Sequence, residues 1–335
     1  MNRRKTSPAG GRPDTGSSRS RIRLLGLPVI ESLDDLAHQS RLSKGIIYQF
    51  SKRSRHYYHV YDLPKRSGGS RRIAQPSRDL KAMQAWILHR ILRPLSPTAA
   101  STAFQPGQCV IDNALPHLGS RVLLSLDLED FFPSVPAGWI YSIFQSLGYS
   151  KWICTVLTNI CTLDGGLPQG SPSSPKLANL ACIRLDRRLL GYVGQRGIAY
   201  TRYADDLTFS SISEAAIRNS TRFIRIIIED EGFRINENKT RFAGPSRCHR
   251  VTGLVVTEET VGIGRQKLRE LRARINDLRT IPTKAGADVE VEHLRGWFAH
   301  LKSVDPDRKK ILRRYAKRLA AKSPGTAVAE VARFL

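Results

Sequence analysis

The stretch AYTRYADDLTFSS (199–211) decides the fold. Apolar residues flank two adjacent carboxylates, Asp205 and Asp206, so the segment reads as strand, tight turn, strand. A second run, RVLLSLDL (121–128), is compact and apolar and holds one acid, Asp127, the signature of a buried strand. An acid inside an apolar strand is costly unless its charge is compensated. Two neighbouring carboxylates at a turn repel one another, and a divalent cation is the most economical counter-charge. Hard Mg²⁺ suits such oxygen donors and keeps waters or phosphates in its remaining positions. A bare Asp-Asp pair serves equally as a polar hairpin tip, with Asp127 as a strand-end cap. The adjacent Tyr203, the apolar flanks and the third acid in an equally apolar strand favour the cation site.

Outward from these strands, Tyr58, Val60 and Leu63 alternate into a Gly68-Gly69 turn and out through Ile73, a β-hairpin pattern. Leu80, Met83, Ile87 and Ile91 recur at helical spacing from Ser77 to Leu92, before Pro94. Short helices are expected over 31–50 and around Ile140–Leu147, a Pro-bounded loop over 167–175, and one long buried helix over 176–193. An amphipathic helix over 214–232 precedes a hairpin over 250–257. The remainder is helical, with apolar stripes at Leu268, Leu271, Ile275 and Leu278 and at Ile311, Leu312, Tyr315 and Leu319. The layout is α+β, a small antiparallel sheet between helical flanks.

The chain has 335 residues, with 54 Lys and Arg against 29 Asp and Glu, a formal charge of +25. At 41% apolar residues it is not a disordered polycation, and the charge calls for a large polyanion such as nucleic acid. An anionic membrane surface would need a concentrated basic amphipathic helix, whereas here the basic residues spread along the chain. No apolar run is long enough to cross a bilayer and no secretory leader is evident, so a cytoplasmic protein is expected. The five cysteines are scattered and never paired as C-x-x-C, which implies neither a disulfide framework nor a zinc site.

Tyr203-Ala204-Asp205-Asp206 resembles the YxDD box of reverse transcriptases, and Asp127 within SLDLEDFFPS resembles the first palm aspartate of that family. Between them, Leu167-Pro168-Gln169-Gly170-Ser171-Pro172 is similar to the LPQGxP loop, and the likeness runs from about residue 58 to 257. The resemblance implies a right-hand polymerase with helical fingers, an antiparallel palm sheet and a helical thumb. Residues 1–25, basic and with Gly, Pro, Ser and Arg in place of apolar periodicity, read as a disordered tail. The resemblance implies N-terminal helices and fingers over 26–120, a palm over 121–257 with an interleaved fingers segment near 148–175, and a basic thumb over 258–335. Asp127, Asp205 and Asp206, with the carbonyl of Leu128, would hold two Mg²⁺ ions. Lys65, Arg71, Phe132 and Gln169 would bind the incoming dNTP, Phe132 as a steric gate against the ribose 2′-hydroxyl. Lys239 would be a general acid for pyrophosphate.

Asn113-Ala114-Leu115-Pro116-His117 is similar to the NAxxH element of retron reverse transcriptases, and Val251-Thr252-Gly253 to their VTG triplet. Asn113, His117, Val251, Thr252 and Gly253 would then contact RNA or primer. A retron enzyme copies part of a structured noncoding RNA into branched RNA-linked DNA in anti-phage defence. Its partners would be that RNA and its RNA–DNA product, dNTPs, a separate effector protein and a host RNase H, with no membrane. A group II intron-like or other bacterial reverse transcriptase, or a catalytically silent RNA-binding scaffold, are the alternatives.

Overall fold

The computed structural model describes residues 15–64, 68–282 and 288–334. The chain divides into two compact units, Met1–Pro97 with Asp130–Ile183, and Thr98–Glu129 with Arg184–Leu335.

In the first unit, strands β1 (Tyr58–Pro64) and β2 (Ser70–Pro76) pair antiparallel, with Leu63 opposite Arg71. Around them lie helices Leu33–Ser40, Lys44–Lys52, Arg78–Ile87, Ala137–Ser146, Lys151–Cys161 and Ser174–Ala181. Serine hydroxyls start four of these helices: Ser32, Ser43, Ser77 and Ser150 each accept a backbone N–H from the first turn. Leu36, Ile47, Phe50, Leu80, Met83, Phe144 and Leu157 are fully enclosed in the core. One buried polar side chain links three elements: Gln84 donates to the Tyr58 hydroxyl and the Ile160 carbonyl and accepts from Ser171. The 167–175 loop is thereby tied to the hairpin and to a helix.

That loop is also pressed against backbone on two sides. The Ala74 amide of β2 donates to the Gln169 carbonyl at 2.9 Å, and the Leu167 amide to the Phe132 carbonyl at 3.2 Å. A Cβ on Gly166 would stand 2.4 Å from the Pro133 carbonyl oxygen, and one on Gly170, at φ +137, 2.6 Å from that of Ala74. Only glycine fits either place.

In the second unit β3 (Val122–Asp127), β4 (Ala199–Tyr203), β5 (Asp206–Ser211) and β6 (Arg241–Ala243) form an antiparallel sheet ordered β4-β5-β3-β6. The amphipathic helix Glu214–Asp230 covers it with Ile217, Ile224, Ile227 and Ile228. Strands β7 (His249–Val251), β8 (Leu254–Val256) and β9 (Val261–Gly262) make a second sheet. Helices Gly264–Asp277, Asp288–Val304, Pro306–Lys322 and Ala327–Arg333 share a core of Leu271, Ile275, Leu294, Phe298, Leu312 and Ala316. Among the described residues no helix is long and apolar enough to cross a membrane.

The structure corrects several expectations. Thr15–Leu24 is a helix rather than disordered tail, because Ile22 is buried; residues 1–14 lie outside the described residues. The long helix over 176–193 is two, Ser174–Ala181 and Ile183–Gly194, which meet at Cys182. The helix from Ser77 closes with a π-helical turn, Leu88–Leu92. All five cysteines are free thiols; Cys154, Cys161 and Cys182 are buried and Cys248 is exposed.

Gly170→Ala should cost about 2 kcal/mol or more, since strain at φ +137 adds to the clash with Ala74. Urea denaturation of the variant beside the native chain measures this, and an unchanged midpoint would mean that the loop shifts freely.

Candidate active site

Asp127 is the last residue of β3 and stands opposite Asp206, the first residue of β5. Asp205 occupies the turn between β4 and β5, one residue after Ala204 at φ 58. The Leu128 amide donates to the Asp205 carbonyl at 3.0 Å, and the Asn236 amide to the Asp127 carbonyl at 2.8 Å. Strand pairing thus brings together three acids from two distant segments.

Electrostatics register their closeness. Burial, then the charges of Asp205 and Asp127, raise the Asp206 carboxyl to about 6, against the opposing pull of Lys239 and Arg241. Asp206 nevertheless keeps an exposed edge. The Lys239 ammonium donates to both oxygens of Asp127, at 2.8 and 3.0 Å, and this hydrogen bond with the surrounding acids raises the Lys239 pKa. A cavity of about 300 Å³ is lined by Asp127, Asp206, Lys239, Arg241, Arg250, Thr252 and Gly253, among others.

Thr252 and Gly253 form the two-residue turn between β7 and β8, with φ of 47 and 85. Positive φ at both positions is what a type I′ hairpin turn requires. The Thr252 hydroxyl donates to the Val110 carbonyl at 3.3 Å. Val251, by contrast, is buried in an apolar cluster with Ala114, Leu123, Leu254 and Val304.

Asn113 and His117 are fully buried. His117 Nδ1 lies 2.7 Å from the Ser210 hydroxyl and Nε2 2.8 Å from that of Thr201, a clamp across β4 and β5. The Asn113 side-chain oxygen accepts from Thr102, and its main-chain carbonyl accepts from Thr201. An RNA contact through either side chain does not fit these surroundings. The His117 ring braces the acidic hairpin, and Asn113 meets it through its main-chain carbonyl.

In the first unit Arg71 is exposed on β2, and Arg72, facing the other way, pairs with Asp164 at 3.2 Å. Among the described residues Arg71 makes no ion pair. Phe132 is half-buried with its ring 5.4 Å from that of Phe131, and Gln169 is half-buried on its glycine-bounded loop. Lys65 lies outside the described residues. Arg241 and Arg250 were not singled out from sequence; their signal is a basic residue in a short strand beside a glycine turn, too common to isolate alone.

Among the described residues no three carboxylate, thiol or imidazole groups stand together as a ready metal site. The donor set nevertheless fits a hard divalent cation: mutually repelling carboxylates at a cavity, one of them now neutralised by an ammonium group.

Burial drives the His117 pKa down to about 4, so the unfolded chain takes up a proton at this residue before the folded chain does. Its contribution to stability is complete above pH 6.5 and is lost as pH falls towards 4, a span worth about 3 kcal/mol. His117→Gln should be less stable at pH 7 yet lose less stability between pH 6.5 and 4. Urea denaturation at both ends tests this, and an equal fall in both proteins would contradict it.

The family described as reverse transcriptase (RNA-dependent DNA polymerase) matches residues 63–256. The chain is 44% identical to the retron Ec86 reverse transcriptase of Escherichia coli over 90% of its own length and 93% of that protein. It is 35% identical to the retron Mx65 reverse transcriptase of Myxococcus xanthus, over 87% of this chain and 73% of that one. A solved structure of Candida albicans telomerase with a fragment of telomeric RNA aligns at a TM-score of 0.47 and 10% identity, over 79% of this chain and 59% of that one. With the family match spanning the strands and turn that bear the three acids, and relatives of one kind along most of its length, the chain belongs to the retron reverse transcriptases and is an RNA-directed DNA polymerase.

Proposed function

We propose that this polymerase copies part of a cognate structured noncoding RNA into single-stranded DNA that stays joined to the RNA as a branch. The observation that carries this reading is the meeting of Asp127, Asp205 and Asp206 at one strand end, in a chain related to retron enzymes over nine-tenths of its length. Asp127, Asp205, Asp206 and the Leu128 carbonyl would hold two Mg²⁺ ions. Magnesium there supplies activation of the attacking hydroxyl and charge neutralisation of the leaving pyrophosphate. Lys239, kept protonated by its acidic neighbours, is suited to deliver a proton to pyrophosphate once it leaves Asp127. Arg71 and Lys65 grip the triphosphate, Gln169 lies beside the new base pair, and Phe132 crowds a ribose 2′-hydroxyl. The Thr252-Gly253 turn, which lines the same cavity as Asp127 and Asp206, holds primer or RNA, seated by Val251.

A host RNase H that removes the template and an effector protein for a defence role are the further partners of this reading. The cytoplasm is the proposed compartment.

Asp205→Asn and Asp127→Asn should each abolish dNTP incorporation while RNA binding persists. Nucleic acid copurified with the native protein should be sensitive to both RNase and DNase and contain a branch. An intron or a template repeat in the bound RNA would replace the retron reading, and incorporation surviving both substitutions would remove the acids from the reaction. Because the Asp206 carboxyl is raised to about 6, it is ionised above that pH and neutral below it. Mn²⁺ affinity measured between pH 5 and 8 should therefore fall as pH drops through about 6. A flat profile would mean that the Asp206 carboxyl is not raised in the folded chain.

A further inference from the structure

Arg202 immediately precedes the Tyr203–Asp206 turn and is completely buried, as is Asp186 on helix Ile183–Gly194. Strand alternation splits the β4 side chains: Thr201 meets His117 on one face, while Tyr200 and Arg202 meet Asp186 on the other. Arg202 Nε and Nη2 donate to the two Asp186 oxygens, both at 2.8 Å, and its Nη1 donates to the Ala204 carbonyl at 3.1 Å. Tyr200 and Thr98 hydroxyls also donate to Asp186, at 2.9 and 2.6 Å. The Arg202 main chain is fixed too: its amide donates to the Ala100 carbonyl and its carbonyl accepts from the Thr102 amide.

A buried ion pair is weak evidence of stabilisation, since a well-packed apolar pair of similar volume often does as well or better. What an apolar pair lacks is a donor for the Ala204 carbonyl. Ala204 adopts a left-handed conformation that an alanine does not favour, and the next two residues are the acids. The guanidinium grips that turn while Asp186 holds the guanidinium.

We propose that Arg202, seated by Asp186, is a positioning residue that fixes the Ala204 turn and so sets the Asp205 and Asp206 carboxylates for cation binding. This rests on the reading of those acids as metal ligands.

The test is Mn²⁺ binding to the full chain by electron paramagnetic resonance, with thermal melting of the same samples. Absence of binding to the native chain would defeat the metal reading itself. Arg202→Lys keeps the positive charge but lacks the fork that reaches Asp186 and Ala204 together. It should bind Mn²⁺ about 10-fold more weakly, as loss of a partner behind a metal ligand typically does, and need correspondingly more Mg²⁺ for incorporation. The double variant Arg202→Met with Asp186→Leu removes the pair without stranding a charge. The Ala204 carbonyl and the Tyr200 and Thr98 hydroxyls lose their partners, so the double variant should melt below the native protein while staying folded at the assay temperature, and show the same weakened binding. Tyr200→Phe takes one donor from Asp186 and leaves the bonds of Arg202 intact, so it should bind Mn²⁺ normally. Native-like affinity in Arg202→Lys or in the double variant would overturn the proposal. So would equal weakening in Tyr200→Phe, which would make any disturbance of the buried network sufficient.

Discussion

Three carboxylates gathered at one strand end repel each other, and the second unit is organised around holding them together. The repulsion is legible in Asp206, whose proton affinity rises because burial and two acidic neighbours act in the same direction. Lys239 offsets part of it by spanning both oxygens of Asp127, and Arg241 contributes from the neighbouring strand. A chain with a formal charge of +25 thus keeps a small region of concentrated negative charge, screened by cations drawn from its own sequence. The ammonium group sits where a divalent ion has most to offer.

Holding the acids also requires that the hairpin bearing them not slide or twist. Hydrogen bonds from opposite faces meet this need. His117 bridges the hydroxyls of Thr201 and Ser210, and Arg202 turns the other way to Asp186 and to the turn itself. The first unit solves a comparable problem with close backbone approach instead of charge. Gly166 and Gly170 let the Gln169 loop lie directly on two neighbouring segments. Each device is specific to its residues, so neither is conserved in function by a substitution that merely preserves polarity.

Much of this was readable from the residues. The strands around Asp127 and flanking Asp205-Asp206 appear where their apolar runs put them, and the hairpin from Tyr58 where alternation puts it. Short elements escaped: β6 and β9 have three and two residues, too few to show a period. The helix Thr15–Leu24 escaped because one buried isoleucine carries it amid arginines and serines. The harder limit concerns polar residues. Nothing in NALPH reveals whether His117 faces nucleic acid or two buried hydroxyls, since either use demands the same ring. Likewise the contact between Lys239 and Asp127 joins residues 112 positions apart, and only strand pairing creates it.

The cysteines carry a practical implication. Burial pushes the Cys154 thiol up to about 11 and the Cys161 thiol to about 12, and Cys182 is enclosed as well. Thiolate is the reactive form, so these three sulfurs are poor nucleophiles at neutral pH. Cys248 is exposed one residue before β7, while Cys109 is only half-covered. With Cys109 replaced by serine, a maleimide dye would therefore attach beside the hairpin that ends in Thr252-Gly253, giving an optical reporter of that hairpin in an otherwise unaltered chain.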